Sequence, residues 1–224
     1  MPDLRALLEA LSNAYGPSGF EGPVREIVRR EVQPLATAVS TDGLGSLIAR
    51  LGDEAGRPRI MLTAHMDELG LMVRRVTAEG YVKFQPLGGW LDQAMINQRW
   101  VILTHAGPVP GITGIKTVHV MEADARGKVF PRTDMFLDIG ARNREDAAER
   151  LGVRPGDPIV PDSRFATLAG GDLLLGKAWD DRVGVGVMIE VLRALAAGPA
   201  PMATVFAVAT VQEEIGLRGA ETSA

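Results

Sequence analysis

Apolar residues at the start of the chain recur with helical spacing: Leu4, Leu7, Leu8 and Leu11 fall at i, i+3, i+4 and i+7. This predicts an amphipathic helix behind Asp3 as its cap, stopped at Gly16-Pro17. A second helix is predicted from Pro23, a good first-turn residue, with Val24, Ile27, Val28 and Val32 turned inward as far as Pro34. Thr41-Asp42-Gly43 reads as a turn and Ser46 to Ala49 as a short strand. Arg59 to Ala64 is a nearly continuous apolar run, which predicts a strand buried on both faces. Leu173 to Leu175 and Thr204 to Val211 are further apolar runs of this kind. Between those two, Val183, Val187, Met188, Val191 and Leu195 predict one inward helical face, and Gly184 and Gly186 allow close packing on a sheet.

From Leu69 to Asp162 the pattern changes to short alternating segments (LMVRRV, YVKFQP, RWVILTH) with frequent Gly and Pro. One helix is predicted there, Arg144 to Arg150, with Asn143 as cap, Asp146 three residues on as in a capping box, and Gly152 as its stop. The expected architecture is an α/β domain made of residues 1–68 and 163–224, interrupted by an all-β insert, a small barrel or sandwich, of residues 69–162.

Composition narrows the chemistry. With 46% hydrophobic and 23% charged residues in 224, the chain has ordinary globular usage and enough apolar content for a sizeable core. The absence of cysteine excludes disulfides, a thiolate nucleophile, Cys-ligated zinc and iron–sulfur clusters, so any metal must use His, Asp and Glu. A net charge of -4 with scattered Lys and Arg leaves no footprint for nucleic acid. The N-terminus lacks the basic-then-apolar layout of a secretion signal, so the expected location is cytoplasmic. Ala194 to Gln212 carries no charge, but Gly198, Pro199 and Pro201 divide it into a helix end and a strand, and no membrane span is expected.

Three apolar runs lead to polar residues capable of holding metal: His65 with Asp67, Asp180 with Asp181, and Glu213 with Glu214. Ligands of α/β sheets bind outside the carboxyl ends of the strands, so one fold could gather all six. Singly, each has a plain structural explanation, such as Asp181 serving as a helix cap. A His-x-Asp pair has a specific use, because a metal-binding imidazole needs an acceptor on its other nitrogen. Paired glutamates can divide their work, one binding metal and the other accepting a proton from water. His105 and His119 read as structural or surface residues. A glycosidase is disfavoured, since carboxylates adjacent in sequence are poorly placed to flank one glycosidic bond.

The segments SGFE (Ser18 to Glu21), AHMDELGLMV (Ala64 to Val73), PLGGW (Pro86 to Trp90), LDIGA (Leu137 to Ala141), GDPIV (Gly156 to Val160), GKAWDDRVG (Gly176 to Gly184) and TVQEEIGLRGA (Thr210 to Ala220) occur in order along the chain. In them the chain resembles the M42 family of metallo-aminopeptidases, which includes the tetrahedral and deblocking aminopeptidases. The resemblance implies a phosphorylase/hydrolase-like α/β catalytic domain interrupted by a PDZ-like β-barrel dimerisation domain, with homo-oligomers up to dodecamers built through that insert. It implies two divalent metal ions, zinc or cobalt: His65 a ligand of one, Asp67 its orienting partner, Asp180 the bridge, Glu213 the general base and Glu214 a ligand of the second. Asp181 is left near the helix start without a metal. Short peptides are the implied substrates. Ser46 stands where the family commonly has Asn, a change expected to matter only for a loop.

Family members place a further Asp and His ligand after the Glu-Glu strand, whereas this chain stops ten residues after Glu214. The expectation is therefore a C-terminally truncated catalytic domain, with two protein ligands per metal, weak metal binding and little activity of its own. The strand Thr204 to Val211 is expected to lack a partner on one side. Two other functions compete: a non-catalytic oligomerising fragment, and a related di-metal carboxypeptidase or deacylase.

Overall fold

The structure is a computed structural model that describes residues 4–115, 117, 119 and 127–224. The Asp3 cap expected for the first helix lies outside the described residues. In chain order the elements are α1 (Leu4–Asn13), α2 (Gly22–Val32), β1 (Ala38–Thr41), β2 (Leu47–Leu51), β3 (Arg59–His65), β4 (Gly70–Val76), β5 (Val82–Leu87), β6 (Arg99–Thr104), β7 (Gly107–Gly114), β8 (Phe136–Asp138), α3 (Arg144–Glu149), β9 (Pro158–Pro161), β10 (Ala166–Thr167), β11 (Leu174–Leu175), α4 (Trp179–Ala197), β12 (Thr204–Thr210) and α5 (Arg218–Ser223). They divide into two units, Met1–Glu68 with Ser163–Ala224, and Leu69–Asp162.

In the first unit a four-stranded sheet runs in the order β1-β2-β12-β3, with β12 antiparallel to β2 and parallel to β3. Strand side chains alternate between faces, so Leu47 and Ala49 share one face with Ala207 and Ala209. That face packs on α1, α2 and α4 through Leu11, Val28, Val185, Ile189 and Leu192, and the small alanines let the helices come close. The α2 positions Val24, Val28 and Val32 are buried as their spacing predicts. The turn at Asp42 is held by its own carboxylate, which accepts from the amides of Leu44, Gly45 and Ser46, an Asx-type turn. The same carboxylate accepts from the hydroxyls of Thr222 and Ser223 and so ties down α5.

Several expectations are corrected here. β3 is an edge strand rather than one buried on both faces, and Ile60 and Met61 are 44% and 39% exposed because, among the described residues, only β12 lies beside it. β12 has neighbours on both sides, so the predicted lack of a partner falls on β1 and β3 instead. β1 itself lay in residues for which the sequence pattern gave only the following turn. Leu174 and Leu175 form no sheet strand of the core; they pair with Ala166 and Thr167 in a two-stranded hairpin. On α4 the buried face is Arg182, Val185, Gly186, Met188, Ile189 and Leu192, whereas Val183, Val187 and Val191 are exposed. Valines lie on both sides of this helix, so apolar spacing alone could not choose its face. Gly186 serves contact with α1 rather than with the sheet, since a Cβ there would stand 2.9 Å from Leu8 Cδ2.

In the second unit six strands close into a barrel, β4-β5-β8-β7-β6-β9, which removes free edges. Its core holds Leu71, Val82, Trp100, Ile102, Leu137 and Ile159. Trp90 meets Trp100 edge-on at 5.1 Å, and the Trp100 indole donates to Thr113 Oγ1. α3 is capped as its sequence predicts: Asn143 Oδ1 accepts from the amide of Asp146 at 2.8 Å. Gly152 ends that turn at φ +72°. His105 and His119 are exposed. No helix among the described residues is long and apolar enough to cross a membrane. The uncharged stretch from Ala194 splits as expected, into the end of α4 and β12.

Candidate metal centre

β3 and β12 run parallel and in register, with Thr210 opposite His65, so the residues that follow both strands emerge at one end of the sheet. His65 is the last residue of β3, and Glu213 and Glu214 follow β12 after Gln212, which turns the chain at φ +55°. Asp180 arrives by another route. It comes from the start of α4, behind the left-handed Ala178, and not from the end of a sheet strand as its apolar flank had predicted.

These segments bring three of the predicted ligands together. Donor atoms of His65, Asp180 and Glu214 all lie within 4.8 Å of one another. His65 Nε2 stands 3.1 Å from Asp180 Oδ1 and 3.7 Å from Glu213 Oε2. On the other side of the ring, Nδ1 lies 3.1 Å from the main-chain carbonyl of Asp67 and 3.5 Å from its carboxylate. The carbonyl is thus the nearer acceptor, and in the neutral ring it leaves the Nε2 lone pair facing the carboxylates. Asp181 stands apart as a helix cap: its carboxylate accepts from the amide of Gly184 at 3.2 Å and from that of His65 at 3.4 Å.

Asp67 is fully buried and is the hub of the site. Its Oδ1 accepts from the amide of Glu213 at 3.0 Å, and its Oδ2 from the amide of Glu214 at 3.2 Å and the Ser18 hydroxyl at 2.6 Å. Burial works against its charge, yet these bonds and His65 hold the carboxyl below its ordinary value. For His65, burial works against the charged ring, but the hydrogen bond and charge of Asp67, the charge of Glu213 and the hydrogen bond to Asp180 outweigh it and push the imidazole up to about 9. Without a cation the ring is therefore protonated at neutral pH, and a cation must displace that proton. Glu214 is raised by burial and by the carboxylates of Glu213 and Asp180, against the opposing charge of His65. An imidazole and two carboxylates whose donor atoms stand within 4.8 Å of one another form an N/O donor set that divalent ions accept, so the residues present fit such an ion.

Sequence reasoning named Glu68, Lys177 and Arg182 only inside motifs and gave them no role. The buried Glu68 carboxylate accepts from Lys177 Nζ at 2.6 and 2.7 Å and from Arg182 at 3.2 Å. Burial pushes Lys177 down to about 8, with Arg182 adding to the shift and Glu68 opposing it. This network pins the loop after α1 beneath the cluster, and its only sequence signal was the presence of charges inside the HMDE and GKAWDDR segments.

Fold and cluster together define an α/β protein that gathers an N/O donor set of the kind divalent ions accept at one end of its sheet. The model of the M42 glutamyl aminopeptidase family matches residues 45–224. The chain belongs to the M42 peptidase family. It is 36% identical over 219 residues to the glutamyl aminopeptidase of Lactococcus lactis subsp. cremoris (strain MG1363), covering 96% of this chain and 61% of that protein. Among solved structures it matches the TET aminopeptidase of the marine sediment archaeon Thaumarchaeota archaeon SCGC AB-539-E09 with a TM-score of 0.93 and 43% identity, over 98% of this chain and 62% of that one. It matches the Pyrococcus horikoshii TET1 peptidase, described as able to assemble into a tetrahedron or a large octahedral shell, with a TM-score of 0.87 and 32% identity, over 98% of this chain and 64% of that one. The chain spans about 60% of the length of the curated relatives it matches.

Proposed function

We propose that the natural polypeptide carrying this sequence is a co-catalytic di-metal aminopeptidase that removes N-terminal residues from short peptides. The observation that carries this is the convergence of His65, Asp180 and Glu214, with Glu213 beside the same imidazole nitrogen, in a chain of the M42 family. Two divalent ions, zinc or cobalt, would be held by His65 and Glu214 with Asp180 shared between them, and when bound they polarise the scissile carbonyl and acidify water. Asp67 keeps the His65 ring in one orientation through Nδ1. Glu213, about one-third exposed, accepts the proton of the attacking water as the new C–O bond forms, and returns it to the amine nitrogen as the C–N bond breaks. These residues give each ion two protein ligands where catalytic zinc usually has three, so the 224-residue chain by itself is expected to bind metal weakly and to show little activity.

In this proposal residues 1–68 and 163–224 belong to a phosphorylase/hydrolase-like catalytic domain, and residues 69–162 are a PDZ-like dimerisation domain. The assembly of the TET1 relative supports a homo-oligomer as the working form. A cytoplasmic location is part of the same proposal. Hydrolysis of leucine and glutamate p-nitroanilides by the natural polypeptide tests the activity. It should vanish with chelator, return with zinc or cobalt, and be absent on N-acetylated substrates. Anilide cleavage that survives chelation, or that prefers a blocked N-terminus, contradicts the proposal, and release of acetate from the N-acetylated substrate favours a deacylase.

A further inference from the structure

Ser18 and Glu21 lie on the loop between α1 and α2, far in sequence from every residue of the cluster, and both are nearly fully buried. The Ser18 hydroxyl donates to Asp67 Oδ2, the oxygen that also accepts from the amide of Glu214. Glu21 Oε1 accepts from the amide of Gly19 at 2.8 Å and from that of Gln212 at 3.0 Å. Three successive amides, of Gln212, Glu213 and Glu214, thus each donate to a buried carboxylate. Hydrogen bonds from backbone N–H to carboxylate are among the stronger ones, and buried here they fix the direction of the peptide groups. Gln212 holds a left-handed φ of +55°, which is unfavourable for a residue with a side chain. It is the Glu21 carboxyl that receives its amide in that conformation.

From this we infer that Ser18 and Glu21 are positioning residues: through Asp67 and the Gln212 amide they set where the Glu213 and Glu214 side chains point before any metal arrives. The inference rests on the roles proposed above for Glu213 and Glu214 and adds the element that aims them. The loop is also anchored independently of these two side chains. Gly16 N donates to Glu68 Oε1 at 3.1 Å, and Gly16 O accepts from the amide of Glu68 at 3.0 Å and from Arg182 at 3.3 Å. Removing the Ser18 hydroxyl therefore removes one bond without freeing the loop.

Two readouts on the 224-residue chain test this, one without metal and one with it. Amide hydrogen exchange of the metal-free chain is compared for the native sequence, Ser18→Ala, Glu21→Ala and Glu21→Gln. In Ser18→Ala the amides of Glu213 and Glu214 should exchange about tenfold faster while those of α4 stay unchanged, as local rather than global opening requires. Glu21→Ala should do the same at Gln212, and Glu21→Gln, which keeps the acceptor oxygen, should stay within about twofold of the native rate. Cobalt affinity, read by visible absorption, should fall about tenfold in Ser18→Ala, in line with losses of partners that orient metal ligands. Unchanged exchange at Glu213 and Glu214, a rise spread over the whole unit, or native cobalt affinity in Ser18→Ala overturns the inference. A spectrum of the native chain that stays blank even in large excess of cobalt, where a two-ligand site should still fill in part, would instead overturn the metal reading, while the exchange data still decide the positioning of the amides.

Discussion

Arg182→Ala is expected to destabilise the α/β unit by about 3–5 kcal/mol, the cost typical of removing one partner from a buried ionic network. The guanidinium is 1% exposed and donates to the carbonyls of Leu11, Ala14, Met66 and Gly16 and to Glu68. Alanine removes a donor from all four carbonyls: Gly16 O keeps the Glu68 amide and Ala14 O keeps Lys177, whereas Leu11 O and Met66 O lose a buried hydrogen bond, and among the described residues Lys177 is left as the cation on the Glu68 carboxylate. Each such loss costs on the order of 1–3 kcal/mol when the group stays buried, with partial relief from water entry. Lysine in place of Arg182 should rescue little, because one ammonium cannot reach acceptors spread around a planar fork. Urea denaturation followed by far-UV circular dichroism measures the effect. A loss is expected that consumes much of a typical stability of about 5–15 kcal/mol. A change below about 1 kcal/mol would show that the network does not hold the loop in place.

Glu213→Gln should reduce kcat for aminoacyl p-nitroanilide hydrolysis by about 10²–10⁴-fold in the natural polypeptide, the usual contribution of a general base. The fold should be unaffected. Asp67 holds residue 213 by its main-chain amide, and the side chain is about one-third exposed, so the substitution touches neither core nor turn. KM should change little, because the amide retains the size of the side chain and only its proton acceptance is lost. Steady-state kinetics and melting temperatures measured on the same preparations separate the two effects. A kcat within tenfold of native, at unchanged stability, would assign the proton transfer to another group.

Local rules made much of the molecule legible in the sequence. Helices α1 and α2, the Asn143 cap and the strands β4 to β6 follow from periodicity and turn chemistry acting over a few residues. What stayed hidden depended on contacts between distant segments. The inward face of α4 is set by Arg182 reaching carbonyls at the end of α1 and in the loop after it, and no apolar period encodes a buried guanidinium. The exposure of β3 is set by which strand lies beside it, which its apolar content cannot state. The type and spacing of Asp180 mark it as metal-capable, and the fold brings it beside His65 and Glu214, but the turn at Ala178 that delivers it from a helix start is not written in the apolar run before it. Ser18 and Glu21 sat in a quoted motif, and only the fold shows that their partners are Asp67 and Gln212.

The central claim is that His65, Asp180 and Glu214 form one metal centre, and diffraction at the cobalt absorption edge from crystals of the chain soaked in cobalt chloride tests it most directly. The predicted result is anomalous density about 2.0–2.2 Å from His65 Nε2 and an Asp180 oxygen, with any second peak at that distance from oxygens of Asp180 and Glu214. Cobalt bound only elsewhere, with the His65 ring still facing bare carboxylates, would contradict it.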